Sequence, residues 1–275
     1  MICAWKELLG ILPSWISREV DKFNQDHPQE IRLRMEASPE IVMSTGSADI
    51  EGKIHRDDLN FCINAASRYS PWAAASIHEG FLTAPGGHRI GVCGEGVIKE
   101  NRIQGIRNVT SLCIRVARDY PGICGYAADL TGSILIIGAP GCGKTTLLRD
   151  LLRKTSESEY VAVADERGEL FPMDFTRGAK MDVMVGCRKN EAVTMLLRTM
   201  GPQCIGMDEI TSKEDCQALL HAGWCGVRLM ATAHAGSVRD LVSRPLYRPI
   251  LESRLFDHIL VMDRQKNWRE ERVIL

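Results

Sequence analysis

The chain has 275 residues, 45% of them hydrophobic and 25% charged, with 24 glycines and 11 prolines. That supplies apolar material for about two cored domains and excludes wholesale disorder, which combines low hydrophobicity with high net charge. Thirty-four Lys and Arg against 35 Asp and Glu leave a formal charge of -1, which argues against a uniformly basic nucleic-acid binder.

Ile2, Trp5, Leu8, Leu9 and Leu12 recur at helical spacing and predict a short amphipathic helix docked on its own domain. The first residues lack a basic leader ahead of a long apolar region, so they do not read as a secretory signal. The longest apolar runs, around Ile134–Ala139 and Ile259–Met262, are far shorter than the ~20 residues of a membrane-spanning helix. Ten cysteines without a CxxC pair fit neither structural zinc nor the disulfide scaffold of a short secreted chain. They are expected to be reduced thiols in a cytoplasmic protein, several of them packed as small hydrophobes.

Asp57–Tyr69 is helical in spacing, with Leu59, Cys62, Ile63 and Ala66 on one face. Phe81–Ala84, Pro85-Gly86-Gly87 and His88–Cys93 read as strand, turn, strand, and Leu112–Val116 as a further strand. Residues 1–120 are therefore expected to form an α+β domain. Asp119-Tyr-Pro-Gly-Ile-Cys-Gly-Tyr126 breaks the rhythm, and a linker is placed over residues 121–132. From 133 to 275 short apolar strands (Ile134–Ile137, Tyr160–Ala164, Cys204–Met207, Val227–Thr232, Ile259–Met262) alternate with helices (Lys144–Lys154, Glu191–Met200, Lys213–Ala222). That alternation predicts an α/β domain of RecA-like P-loop type, its mostly parallel sheet covered by helices.

Gly138-Ala139-Pro140-Gly141-Cys142-Gly143-Lys144-Thr145 matches GxxxxGK[ST] between a strand and a helix, with Thr146 following. In such a loop the backbone N–H groups converge on phosphate oxygens and the helix N-terminus adds favourable dipole charge. Lys144 is expected on the β- and γ-phosphates and the Thr145 hydroxyl on Mg²⁺, so ATP and Mg²⁺ are the expected ligands. Cys142 either merely tolerates the turn or is a thiol made oxidisable by the helix-terminus field.

The apolar strand Cys204–Met207 ends in Asp208-Glu209. Asp208 is expected to hold Mg²⁺, and Glu209 to orient and deprotonate an attacking water. Asp165-Glu166-Arg167 repeats that arrangement after another strand. Glu166 is either a second polar group beside the water or an acid paired structurally with Arg167. In Ala231-Thr232-Ala233-His234, Thr232 or His234 is either a γ-phosphate contact or a structural residue. Arg188, Arg198, Arg228, Arg89, Arg107 and Arg115 are candidates for an arginine that neutralises transition-state charge.

The order of these elements resembles the secretion-type, AAA+-related ATPases of type II and type IV secretion systems and pilus motors. Glu30-Ile-Arg-Leu-Arg34, Gly86-Gly-His-Arg-Ile-Gly91-Val-Cys-Gly-Glu95, Ile114-Arg-Val-Ala-Arg118 and Leu197–Ile210 are similar to the stage III sporulation protein AA family, over roughly residues 28–265. The resemblance implies a hexameric ATPase in the mother-cell cytoplasm. It implies peripheral docking on membrane-embedded partners that form a channel to the forespore, with no nucleic-acid partner. It also implies Lys144 and Thr145 as phosphate and Mg²⁺ residues, Glu209 as the catalytic carboxylate and His234 as the histidine-box residue. Secretion motors often carry Gly where this chain has Asp208. A nucleic-acid translocase or loader is the competing reading; sparse aromatics and near-zero charge count against it.

Overall fold

The computed structural model describes residues 1–70, 77, 80–99, 102–172 and 175–271. They divide into two compact units: Met1–Asp119 with Pro172–Phe175, and Tyr120–Phe171 with Thr176–Leu275.

In the first unit, α1 (Trp5–Gly10) and α2 (Ser14–Asp21) precede β1 (Glu30–Arg34), β2 (Glu40–Met43) and β3 (Gly46–Asp49). Then come α3 (Arg56–Ala66), β4 (Phe81–Thr83), β5 (Arg89–Lys99) and β6 (Arg102–Arg115). The strands form one antiparallel sheet in the order β3-β2-β1-β6-β5-β4. In β1, Ile31 and Leu33 are buried between polar neighbours, the period-2 pattern of a sheet with one covered face. Leu8, Ile16, Leu59, Leu82, Ile90 and Ile114 join them in one core, so the predicted amphipathic helix is packed within its own unit. β5 and β6 run well past the expected strands. Their outer parts pair only with each other, through Glu95↔Arg107 and Gly96↔Ile106 and across two register shifts. Most of this ribbon is exposed, with Ile106 and Val109 only partly buried against the core, so it carries little alternation to mark a strand.

The second unit opens with β7 (Ile134–Gly138), α4 (Lys144–Thr155), β8 (Val161–Asp165), β9 (Met181–Val185), α5 (Lys189–Thr199) and β10 (Cys204–Met207). It continues with α6 (Lys213–Trp224), β11 (Arg228–Ala233), α7 (Val238–Ser243), α8 (Arg248–Glu252), β12 (His258–Met262) and β13 (Trp268–Glu271). The sheet order is β13-β12-β7-β11-β10-β8-β9, parallel except for the β12–β13 pair. Its strands are apolar on both faces because helices cover both. Ile134 and Ile136 pack with Leu147, Leu148 and Leu151 of α4, while Leu135 and Ile137 pack with Val193 of α5 and Leu219 of α6. The unpredicted strands β9 and β13 are the two sheet edges, half-exposed and interrupted by charge.

The segment expected to be a linker is built into this second unit. It forms a short 3-10 turn over Gly125–Asp129 with Ala127 fully buried. Asp150 of α4 accepts from the N–H groups of Gly122 (2.9 Å) and Cys124 (2.8 Å). Burial alone would raise the Asp150 carboxyl, but those two N–H groups, with the Cys124 thiol and the Arg153 charge, outweigh it and the net shift is downward. Cys62 and Cys204 are buried and burial pushes both thiols up to about 12, so they pack as small hydrophobes. Among the described residues no helix is long and apolar enough to cross a membrane.

His258 pins the β12–β13 hairpin. Its Nδ1 meets Glu270 Oε1 at 2.7 Å and its Nε2 donates to the Thr131 carbonyl at 2.7 Å. Burial pulls the imidazole pKa down, but Glu270 and the Thr131 carbonyl prevail and leave it above its ordinary 6.5. Stability from a raised histidine is complete below the unfolded pKa and is lost as pH climbs through the folded one. Thermal melts should therefore show a decline in stability that begins near pH 6.5 and that His258→Gln removes. Identical pH slopes in the two proteins would rule out this contribution.

Candidate nucleotide site

A parallel sheet aligns the C-terminal ends of its strands along one edge, where ligands bind in open α/β folds. Here the adjacent strands β7, β11 and β10 end in the glycine-rich loop, in Ala233-His234 and in Asp208-Glu209.

Local packing explains the loop. A Cβ at Gly138 would lie 2.5 Å from Cys142 Sγ and 2.9 Å from the Met262 carbonyl, so only glycine fits against β12. Gly143 caps α4 at φ 99°, a conformation that side chains disfavour. Pro140 and Gly141 are exposed, and Ala139 is half-buried. Cys142 is only 2% exposed and belongs to the core beneath the loop. It therefore tolerates the turn, and the accessible, oxidisable thiol is corrected by its burial.

Lys144 begins α4 and is itself buried. Its ammonium donates to the carbonyls of Gly138 and Ala139, each at 3.0 Å, and to His234 Nδ1 at 3.2 Å. Because Nδ1 faces a group that only donates, the other ring nitrogen carries the hydrogen. That nitrogen, Nε2, lies 2.9 Å from Glu209 Oε1. Thr145 Oγ1 donates to Asp208 Oδ2 at 2.9 Å. Asp208 Oδ1 accepts from Thr232 Oγ1 at 2.6 Å, and Thr232 Oγ1 accepts from the Glu209 N–H at 2.8 Å. The structure thus brings together Lys144, Thr145, Asp208, Glu209 and His234. Glu209 has φ 53°, a left-handed conformation costing roughly 1–3 kcal/mol that persists only where its surroundings enforce it.

Of the other expected residues, Glu166 and Arg228 stand apart from this chain of bonds, whereas Thr232 belongs to it. Glu166 is exposed and lines a neighbouring cavity of about 160 Å³ with Asp165, Lys189, Asp208, Glu209 and Thr211. The acid before it, Asp165, is buried and accepts from the N–H groups of Glu169, Leu170 and Phe171. Burial pushes the Asp165 carboxyl up against those donors, and the Asp208 charge adds to the rise. Thr232 is 1% exposed and is spent on Asp208 and Glu209, which corrects its reading as a phosphate contact. Arg228 sits at the opposite end of β11, donating to the carbonyls of Gly132 and Leu130 and to Glu159, away from the loop of its own subunit.

Two features escaped the sequence reading. An apolar recess beside the loop is lined by Tyr120, Ile123, Thr146, Met262, Lys266 and Trp268, with Trp268 against Tyr126 at 4.3 Å between ring centroids. These residues come from three distant parts of the chain and form no motif. The other is Lys189, a buried cation on the wall shared with Glu209.

The structure shares its fold with the ATPase DotB and the pilus retraction motor PilT. It superposes on the ATPase DotB of Legionella pneumophila with a TM-score of 0.60 at 17% identity, covering 91% of this chain and 76% of that one. It superposes on the pilus retraction motor PilT, solved with bound ADP, with a TM-score of 0.61 at 14% identity, covering 89% and 76%. At these identities the likeness is one of fold. In sequence, the chain is 32% identical to stage III sporulation protein AA of Bacillus subtilis (strain 168), across 94% of this chain and 91% of that protein. The model of the family described as sporulation stage III, protein AA matches residues 6–274, and the chain belongs to that family.

Proposed function

We propose that the chain is a Mg²⁺-dependent ATPase that works as a ring of like subunits. The observation that carries this reading is the hydrogen-bonded run from Lys144 through His234 to Glu209, beside Thr145 and Asp208. It joins a phosphate-binding loop to a carboxylate placed for base catalysis.

The loop N–H groups and Lys144 would hold the β- and γ-phosphates, Lys144 giving up the carbonyls of Gly138 and Ala139. The recess lined by Ile123, Met262 and Trp268 suits a flat, apolar base, because aromatic and aliphatic walls favour stacking. Thr145 Oγ1 and Asp208 meet at one point and present the hard oxygens that Mg²⁺ takes. When bound there, Mg²⁺ would neutralise charge on the phosphate oxygens. Glu209 would then take a proton from water as its oxygen bonds to the γ-phosphorus and the bond to the β-bridging oxygen breaks, leaving ADP and phosphate. His234, hydrogen-bonded to Glu209, orients that carboxylate. Glu166, on the adjoining cavity wall, is a secondary polar group for the same water.

The family and the shared fold with motor ATPases support the wider role. In it, six copies assemble in the mother-cell cytoplasm on membrane-embedded partners and power a channel to the forespore. In this scheme the unit of residues 1–119 is the α+β domain, and the unit that begins at Tyr120, with the segment 121–132 built into it, is the ATPase domain.

Molar mass in solution, measured with and without a non-hydrolysable ATP analogue and paired with a phosphate-release assay, tests the reading. Mg²⁺-dependent release of phosphate with growth of the mass towards a ring is expected. A natively folded monomer that binds no Mg·ATP would refute it, and DNA-stimulated hydrolysis with steep salt dependence would transfer it to the nucleic-acid class.

A further inference from the structure

Lys189 lies outside every motif and has no part in the chemistry described above, yet it is 9% exposed. A buried ammonium is tolerated only when its hydrogens find partners. Lys189 Nζ donates to the Glu209 carbonyl at 2.5 Å and to Thr211 Oγ1 at 3.1 Å, and pairs with Asp215 Oδ2 at 3.4 Å. Asp215 is 3% exposed and is fixed in turn by Thr211 N, Thr211 Oγ1 and Ser212 N, each at 3.0–3.1 Å. It sits in the first turn of α6, and Lys189 is the first residue of α5. The two helices thus present one anchored cation to a single backbone carbonyl.

That carbonyl belongs to the residue at φ 53°. Its N–H is held by Thr232 Oγ1 at 2.8 Å, and the following N–H, of Ile210, by the Thr232 carbonyl at 2.8 Å. A bond between Lys189 and Asp215 alone would staple α5 to α6. It would not require a third hydrogen aimed at Glu209.

We propose that Lys189 is a positioning residue. Anchored by Asp215, its ammonium holds the Glu209 carbonyl and keeps that residue in the left-handed conformation that carries its carboxylate to His234. This rests on the reading of Glu209 as the hydrolytic base.

The test uses the full chain with Lys189→Met, and Lys189→Met/Asp215→Asn in case the lone buried acid prevents folding. The expected result is a fall in kcat of about 10²-fold, the scale of a roughly 1 Å misplacement of a reacting group, with the Kd for Mg·ATP within about threefold. Lys189→Met combined with Glu209→Gln should be no slower than Glu209→Gln alone, because both act through one carboxylate. A purely structural lysine would add its loss to that of Glu209→Gln. In crystals of the variant, Glu209 should leave positive φ and part from His234. A folded variant with wild-type kcat, or with Glu209 still at positive φ and against His234, overturns the proposal. Should the wild-type chain hydrolyse no nucleotide, the ATPase reading fails on its own, and the crystallographic comparison still decides whether Lys189 sets the Glu209 backbone.

Discussion

Glu209→Gln should lower kcat for ATP by about 10²–10⁴-fold, the range of a positioned general base, while Mg·ATP still binds. The substitution is nearly isosteric, and the amide oxygen still accepts from His234 Nε2, which lies 2.9 Å from the carboxylate in the wild type. What is lost is the capacity to take a proton. The backbone restraints on Glu209, from Thr232 at its N–H and Lys189 at its carbonyl, are main-chain bonds and survive the change. Ground-state binding is therefore untouched and the loss falls on the transition state, the signature of an interaction made only there. Single-turnover phosphate release and equilibrium titration with a fluorescent nucleotide separate the two. Wild-type turnover in this variant would remove Glu209 from the role of base, whatever else the site does.

Lys144→Ala should act in the opposite way, at binding. Lys144 is buried at the start of α4, and its ammonium rests on the carbonyls of Gly138 and Ala139. Its position at the mouth of the loop makes it the cation available to the β- and γ-phosphates. Removing one partner of a desolvated charge pair costs about 2–5 kcal/mol, so at about 1.4 kcal/mol per decade affinity should fall by roughly 30-fold to 4,000-fold. The same change deprives His234 Nδ1 of its donor and frees the ring to turn away from Glu209. Calorimetric titration of the folded variant with Mg·ATP is the measurement. Affinity equal to that of the wild type would show that the loop does not hold the phosphates through this lysine.

The two variants also separate the parts of the site by how they are written in the chain. Lys144 and Thr145 were legible because a strand, a glycine-rich turn and a helix are consecutive, and phosphate binding needs only their local geometry. Asp208 and Glu209 were legible because an apolar strand that ends in acids delivers them to a known edge of the sheet. Lys189 was not legible. Its significance depends on α5 and α6 lying side by side, so that Asp215 can anchor it under a carbonyl twenty residues along the chain. Thr232 was misread for a related reason. Its place two residues before His234 suggested a phosphate contact, but the end of the neighbouring strand β10 brings Asp208 and Glu209 against it, and they take up its hydroxyl. The outer ribbon of β5 and β6 and the edge strands β9 and β13 were missed because partial exposure erases the apolar pattern that marks a strand.

From its residues alone, this chain declares a two-part architecture, a parallel sheet clad in helices and a loop for phosphates, since each follows from short-range periodicity or from a local turn. Only the folded molecule decides that Cys142 is buried, that residues 121–132 join the second unit through Asp150, and that Glu209 is held at positive φ between Thr232 and Lys189. Those outcomes depend on groups far apart in the chain that meet through packing, and hydrogen-bond demands in a desolvated interior are met by whichever partner the fold brings near.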